Sequence, residues 1–196
     1  MDFLLKQIGV RIMEKFKHIR EITLIKNAFP MEWKEEFMEL LNHPNEDWIR
    51  YPNNGKYGIL YEGPKISKTP LGEKWRNYAF KKWNKEFGIE NKLNDGYENL
   101  KGIYWGDFLL QFKEGHYLIP HTDVHNPTEF RFNVLLEKPE QGGIYKFNGV
   151  EFPMDEGDMV VFAPYHNLHE TDKIMGNKSR VILSLSFIQK EVKNVL

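Results

Sequence analysis

Apolar positions change their period near residue 102. Before that point they recur every three to four residues. Leu4, Leu5, Ile8, Ile12 and Phe16 predict an amphipathic helix over 3–18 that covers a sheet. Glu21 to Ile25 alternates and predicts a strand. Pro30 sits at a helix start, and Trp33, Phe37, Leu40 and Leu41 share a face, which predicts a helix over 31–42 stopped by His43-Pro44-Asn45. Residues 43–56 are rich in Pro, Asn and Gly and read as loop, followed by a short strand at Tyr57 to Tyr61. Thr69-Pro70 is an N-cap followed by a first-turn proline; Leu71, Trp75, Tyr78 or Ala79, Lys82 or Trp83, and Phe87 mark the helix face, and Gly88 ends the helix.

Beyond residue 102 the period shortens to two. Strands are predicted at 103–112, 129–137, 143–147, 150–153, 158–163, 167–174 and 179–189. Glu114-Gly115, Asn126-Pro127, Gly142-Gly143, Asn148-Gly149, Glu156-Gly157 and Gly176-Asn177 separate them. Many short strands with regular turns predict a sandwich or barrel. The class is α+β, mainly β, with N-terminal supporting helices. No repeat or linker divides the chain. It reads as a single domain over 1–196, with helical support and entry strands in 1–100 and the β core in 101–190.

Composition narrows the chemistry. The chain has no cysteine, which removes disulfides, thiolate metal sites and cysteine nucleophiles. Any metal is held by His, Asp or Glu. A net charge of −1 gives no polyelectrolyte signature, so neither nucleic acid nor an anionic membrane is expected as a main partner. Lys6 interrupts the apolar N-terminus, and no run approaches the roughly 20 apolar residues of a membrane span. The expected location is the cytoplasm.

One constellation carries chemistry. His121 and Asp123 are two apart in an extended segment, so they face the same side while Thr122 faces away. Alone, a His-x-Asp triplet is a weak signal. His169 lies in a distant strand and completes a set of two histidines and one carboxylate, which leaves open positions on an octahedral metal and suits non-haem Fe(II). Arg180 follows, at the head of the apolar strand Val181-Ile182-Leu183. A buried arginine without a partner is costly, so its place implies an anion nearby.

In this order and spacing, His121-x-Asp123, His169 and Arg180 resemble the 2-oxoglutarate- and Fe(II)-dependent oxygenases, over about residues 100–190. The strand–helix entry of residues 20–42 resembles the prolyl-hydroxylase-like branch. The resemblance implies a double-stranded β-helix (jelly-roll/cupin-like) core. It implies Fe(II) on His121, Asp123 and His169, 2-oxoglutarate with its far carboxylate on Arg180, and O2 as oxidant. The implied reaction couples decarboxylation of 2-oxoglutarate to hydroxylation of a C–H bond, on an amino-acid side chain free or within a peptide.

Departures sharpen the expectation. Many relatives carry a tyrosine ahead of the metal histidine; Phe112 stands there, and Asn133 is the candidate replacement toward 2-oxoglutarate. The second arginine of the nucleic-acid demethylases corresponds to Ser186. Arg131 shares a face with Asn133; it either meets a substrate anion or pairs with a neighbouring Glu. Two other readings compete: a cupin-like site built from His121, His125, His166 and His169, and a β-helix domain that binds a ligand without catalysis.

Overall fold

The structure is a computed structural model. It describes residues 21–42, 48–50, 62–64, 66–67, 69–90, 106–123 and 127–189. The helix expected at 3–18, the strand at 57–61, and His18, His43, Tyr104, Trp105 and His125 lie outside them.

Two sheets face each other. Among the described residues the larger has eight strands: β1 (Thr23–Ile25), β2 (Trp48–Arg50), β3 (Glu62–Pro64), β4 (Ile89–Glu90), β5 (Phe108–Phe112), β7 (Glu129–Glu137), β10 (Met159–Phe162) and β12 (Arg180–Gln189). Its order is β1-β10-β7-β12-β5-β3-β2, with β4 also on β12. The smaller contains β6 (Leu118–His121), β8 (Tyr145–Phe147), β9 (Val150–Phe152) and β11 (His169–Thr171), in the order β6-β11-β8-β9. All pairings are antiparallel. The architecture is the double-stranded β-helix expected.

The helices form as their end signals dictate. Residues 31–42 make one 3₁₀–α–3₁₀ stretch around α1 (Lys34–Glu39). Helix α2 (Pro70–Phe87) starts where the Thr69 hydroxyl accepts from Gly72 N–H at 3.0 Å, and Gly88 closes it in the left-handed region at φ 58°. Two strands depart from the expectation. β2 lies within the Pro- and Asn-rich stretch read as loop; it forms the outermost strand of the larger sheet, where irregular neighbours do little harm. β6 was expected only as a lead-in to His121. Its Pro120 is tolerated because β6 is an edge strand.

Alternation on the central strands divides the interior. Phe130, Phe132, Val134 and Leu136 of β7, with Val181, Leu183, Leu185 and Phe187 of β12, pack with Phe37, Trp75, Ala79, Trp83 and Phe87 from the helices. Their neighbours in sequence point the other way. Leu135, Val160 and Ile182 from the larger sheet meet Tyr145 and Phe147 from the smaller. That second cluster fills the space between the sheets. Strict period two therefore places Arg131, Asn133, Arg180, Ser184 and Ser186 on the inner face. Register sets them in pairs, Ser184 opposite Asn133 and Ser186 opposite Arg131.

Candidate metal centre

Two strands of the smaller sheet bring the ligand set together. β11 pairs with β6 so that His169 is directly opposite His121. Their rings lie 4.2 Å apart between centroids. Asp123 follows β6, and its backbone N–H donates to the Pro164 carbonyl at 3.0 Å, which turns the segment toward the loop before β11. Asp123 Oδ1 is 3.5 Å from His121 Nε2 and 3.9 Å from His169 Nε2. One ligand atom from each residue lies within 4.8 Å of the others, and this is the one such cluster among the described residues. Thr122 is exposed, as the two-residue spacing requires.

The histidines are held in a ligating pose. His121 Nδ1 lies 2.8 Å from the Ile119 carbonyl and His169 Nδ1 lies 3.0 Å from the Asn167 carbonyl. A carbonyl only accepts, so each Nδ1 carries the proton and each Nε2 lone pair is left for a metal. Burial is the largest influence on all three groups. It pushes the His169 pKa down to about 4, helped by the neighbouring His121. At His121 burial works downward too, but Asp123 and the Ile119 carbonyl outweigh it and the pKa is raised. At Asp123 burial works upward, yet His121, His169 and Arg131 together hold the carboxyl below its ordinary range. Near neutral pH the cluster thus offers a carboxylate and an uncharged His169, the protonation states that ligation needs.

Arg180 is the second element. It opens β12 opposite Phe112 and is 1% exposed. Its guanidinium lies 4.1 Å from the Tyr145 ring centroid and 5.3 Å from that of Phe112. Nη1 has no hydrogen-bond partner among the described residues. The Gly142-Gly143 turn allows this packing. A β-carbon on Gly143 would come 2.9 Å from Arg180 Cδ, and its φ of 66° suits glycine as well.

Asn133 lies on the same inner face, and its Nδ2 donates to the Tyr145 hydroxyl at 2.9 Å. Its Oδ1 is buried without a partner among the described residues. Tyr145 was not singled out from sequence. The available signal was its alternation with Phe147 in a barrel strand, since a tyrosine facing inward needs a partner for its hydroxyl.

Arg131 is paired. Its Nε lies 2.8 Å from Glu129 Oε1 and its Nη1 donates to the Gly106 carbonyl at 2.7 Å. Glu129 also accepts from the Ser186 hydroxyl at 2.8 Å. The network continues, since Ser186 N–H donates to Asp107, which pairs with Arg76 of α2. Of the two options for Arg131, the ion pair with Glu129 is present. The rival histidine cluster does not assemble within the described residues: His166 Nε2 lies 3.0 Å from the Pro127 carbonyl, outside the ligand set.

No family model matches the chain, and no curated protein matches it by sequence. Solved structures do. A 2OG-Fe(II) oxygenase family oxidoreductase from Burkholderia pseudomallei aligns with a TM-score of 0.61 at 14% identity, covering 87% of each chain. A prolyl-4-hydroxylase from Pseudomonas putida aligns at 0.59 and 14%, over 87% of this chain and 94% of that one. The non-haem α-ketoglutarate-dependent epimerase SnoN of nogalamycin biosynthesis aligns at 0.64 and 12%, over 91% and 80%. This chain has the double-stranded β-helix fold that these 2-oxoglutarate- and iron-dependent enzymes share.

Proposed function

We propose that the protein is an Fe(II)- and 2-oxoglutarate-dependent dioxygenase. One observation carries the reading: a His-Asp-His ligand set and a buried arginine whose Nη1 has no partner among the described residues are built into one β-helix interior. His121, Asp123 and His169 are the metal ligands. Two imidazoles and a carboxylate on one side of an ion leave positions for other ligands and favour iron over the tetrahedral sites of zinc. Arg180 takes the far carboxylate of 2-oxoglutarate, where a guanidinium forms paired hydrogen bonds. Asn133 contributes beside it. Bound iron supplies the redox chemistry of oxygen activation.

The protein's own residues orient and seclude. Asp123 stays ionised, and His169 stays neutral well below physiological pH, so neither has to lose a proton for the metal to enter. Aromatic Phe147 and Phe162 pack beside His169, with ring centroids 6.4 Å and 5.1 Å away, and keep water from that side. In the net reaction one oxygen atom enters succinate and the other enters the substrate, with release of CO2. Hydroxylation of an amino-acid side chain, free or within a peptide, is the outcome we favour; the prolyl-4-hydroxylase likeness supports it by analogy of fold. Arg131 is a candidate to face the substrate, although its pairing with Glu129 favours a positioning part.

The test is oxygen-dependent formation of succinate from 2-oxoglutarate with added Fe(II). Wild-type protein should turn over slowly without a prime substrate, and Asp123→Ala should abolish that turnover together with metal binding. Equal succinate formation by both would sink the assignment.

A further inference from the structure

The metal ligands come from two stretches of chain, His121 with Asp123 and then His169, and one short turn holds a ligand from each. Residues 163–168 join β10 to β11. Within that turn the Pro164 carbonyl accepts from Asp123 N–H at 3.0 Å, and the Asn167 carbonyl lies 3.0 Å from His169 Nδ1. The path of the turn therefore sets where Asp123 and His169 meet. His121 is held independently, by the Ile119 carbonyl of its own strand.

Asn167 closes the turn. It is 1% exposed, and both ends of its side-chain amide are engaged. Nδ2 donates to the Ala163 carbonyl at 3.0 Å, alongside the backbone N–H groups of His166 and of Asn167 itself at 3.1 Å each. Two backbone donors already match the two lone pairs of that oxygen, so the turn's own hydrogen bonding does not require the amide. What the amide adds is a fixed place for residue 167 and its carbonyl. Its Oδ1 accepts from Asn148 Nδ2 at 3.4 Å. Asn148 lies in the turn between β8 and β9, and it brackets the next residue of the loop. Its Oδ1 accepts from Leu168 N–H at 3.2 Å, and its N–H donates to the Leu168 carbonyl at 2.8 Å. We propose that Asn167 is a positioning residue for the metal centre: its amide clamps the 163–168 turn, so that the Asn167 carbonyl holds the His169 ring with Nε2 toward Asp123 Oδ1, 3.9 Å away. The inference rests on the metal-centre reading of His121, Asp123 and His169.

The test uses full-length protein and two measurements that need no turnover. Proton–nitrogen correlation spectra of the metal-free protein, at a pH that leaves both rings uncharged, report which imidazole nitrogen carries the proton. Calorimetric titration reports Mn(II) affinity. Wild type should show the Nδ1–H form at His121 and His169 and should bind Mn(II). Asn167→Leu removes the amide at nearly constant shape. It should leave the His121 ring as it was, mix the two tautomers of His169, and weaken Mn(II) about 10- to 100-fold, the usual cost of losing a group that orients a metal ligand. Asn167→Ala, which crowds the turn least, carries the same expectation where the leucine variant does not fold. Retention of the His169 tautomer or of wild-type Mn(II) affinity overturns the inference. So does equal disturbance of both rings, or loss of folding in both variants, since Asn167 would then serve the fold at large. If wild type itself does not bind Mn(II), the metal-centre reading falls, and the role of Asn167 with it.

Discussion

The two faces of β7 and β12 are built from alternate residues of the same strands, yet they obey opposite rules. The outer face is Phe130, Phe132, Val134 and Leu136 against Val181, Leu183, Leu185 and Phe187, closed by the aromatic side of α2. Phe132 alone touches the rings of Trp83, Phe87 and Phe187. The inner face, one residue out of step, carries Arg131, Asn133, Arg180, Ser184 and Ser186, all buried. The outer face is almost wholly apolar, and Trp75 Nε1 is the one buried polar atom of its core cluster without a partner among the described residues. The inner face leaves Arg180 Nη1 and Asn133 Oδ1 without partners among the described residues. Such atoms cost stability. A sheet that spends its outer face on packing has the stability to keep an inner face ready for a ligand.

That contrast is open to direct attack. Phe132→Ala strikes the outer face and should destabilise the fold by about 3–5 kcal/mol, since a large buried ring is lost and a cavity remains; a denaturant titration reads it. Metal affinity per folded molecule should hardly change. A large change in metal affinity would mean the two faces are not separable.

Proton competition probes the inner side. The raised pKa of His121 means that protons compete with metal at higher pH than they would at an ordinary histidine. Apparent Mn(II) affinity should fall about tenfold per pH unit below that pKa, and one proton per ion should be released on binding. His169, depressed to about 4, adds no second slope until pH nears that value. Two protons released per ion well above pH 4 would contradict this order.

The smallest effect lies outside both faces. Glu156 meets Lys34 and Lys178 at 2.8 Å each and accepts from Lys138 N–H at 3.0 Å. Burial acts to raise its pKa, but these contacts prevail and hold it at about 2. A depressed carboxyl stabilises the fold above its unfolded value and loses that contribution as pH falls toward the folded value. Glu156→Gln should therefore cost about 1 kcal/mol or less at pH 7. The gap to wild type should close between pH 4.5 and 2 in thermal melts.

Much of this was legible in the sequence because the signals were local. Thr69, Pro70 and Gly88 mark helix ends through their own backbone chemistry. The two-residue period of β7 and β12 placed Arg131 with Asn133 on one face. The order His121, Asp123, His169, Arg180 pointed to a shared site, and the fold joins the first three. What stayed hidden depends on pairing between distant strands. Nothing near Tyr145 announces Arg180 as its neighbour; the two meet only when β8 and β12 close opposite each other. The pairing of Arg131 with Glu129 was open because both residues lie on the same strand face, and burial beside Ser186 decided it. β2 was missed because composition near Pro52 and Asn53 outweighs three residues of edge strand.

The central claim is that Arg180 is buried for a ligand, not for the fold. Arg180→Met tests it by calorimetric titration of 2-oxoglutarate into Mn(II)-loaded protein, with melting temperature measured alongside. Replacing a buried cation that has no ion pair among the described residues with an apolar chain of similar length should leave stability unchanged or raise it. Losing the carboxylate's partner should weaken 2-oxoglutarate by about 2–5 kcal/mol. Wild-type affinity in a protein that melts far lower would contradict the account, because Arg180 would then be holding the barrel together and no co-substrate at all.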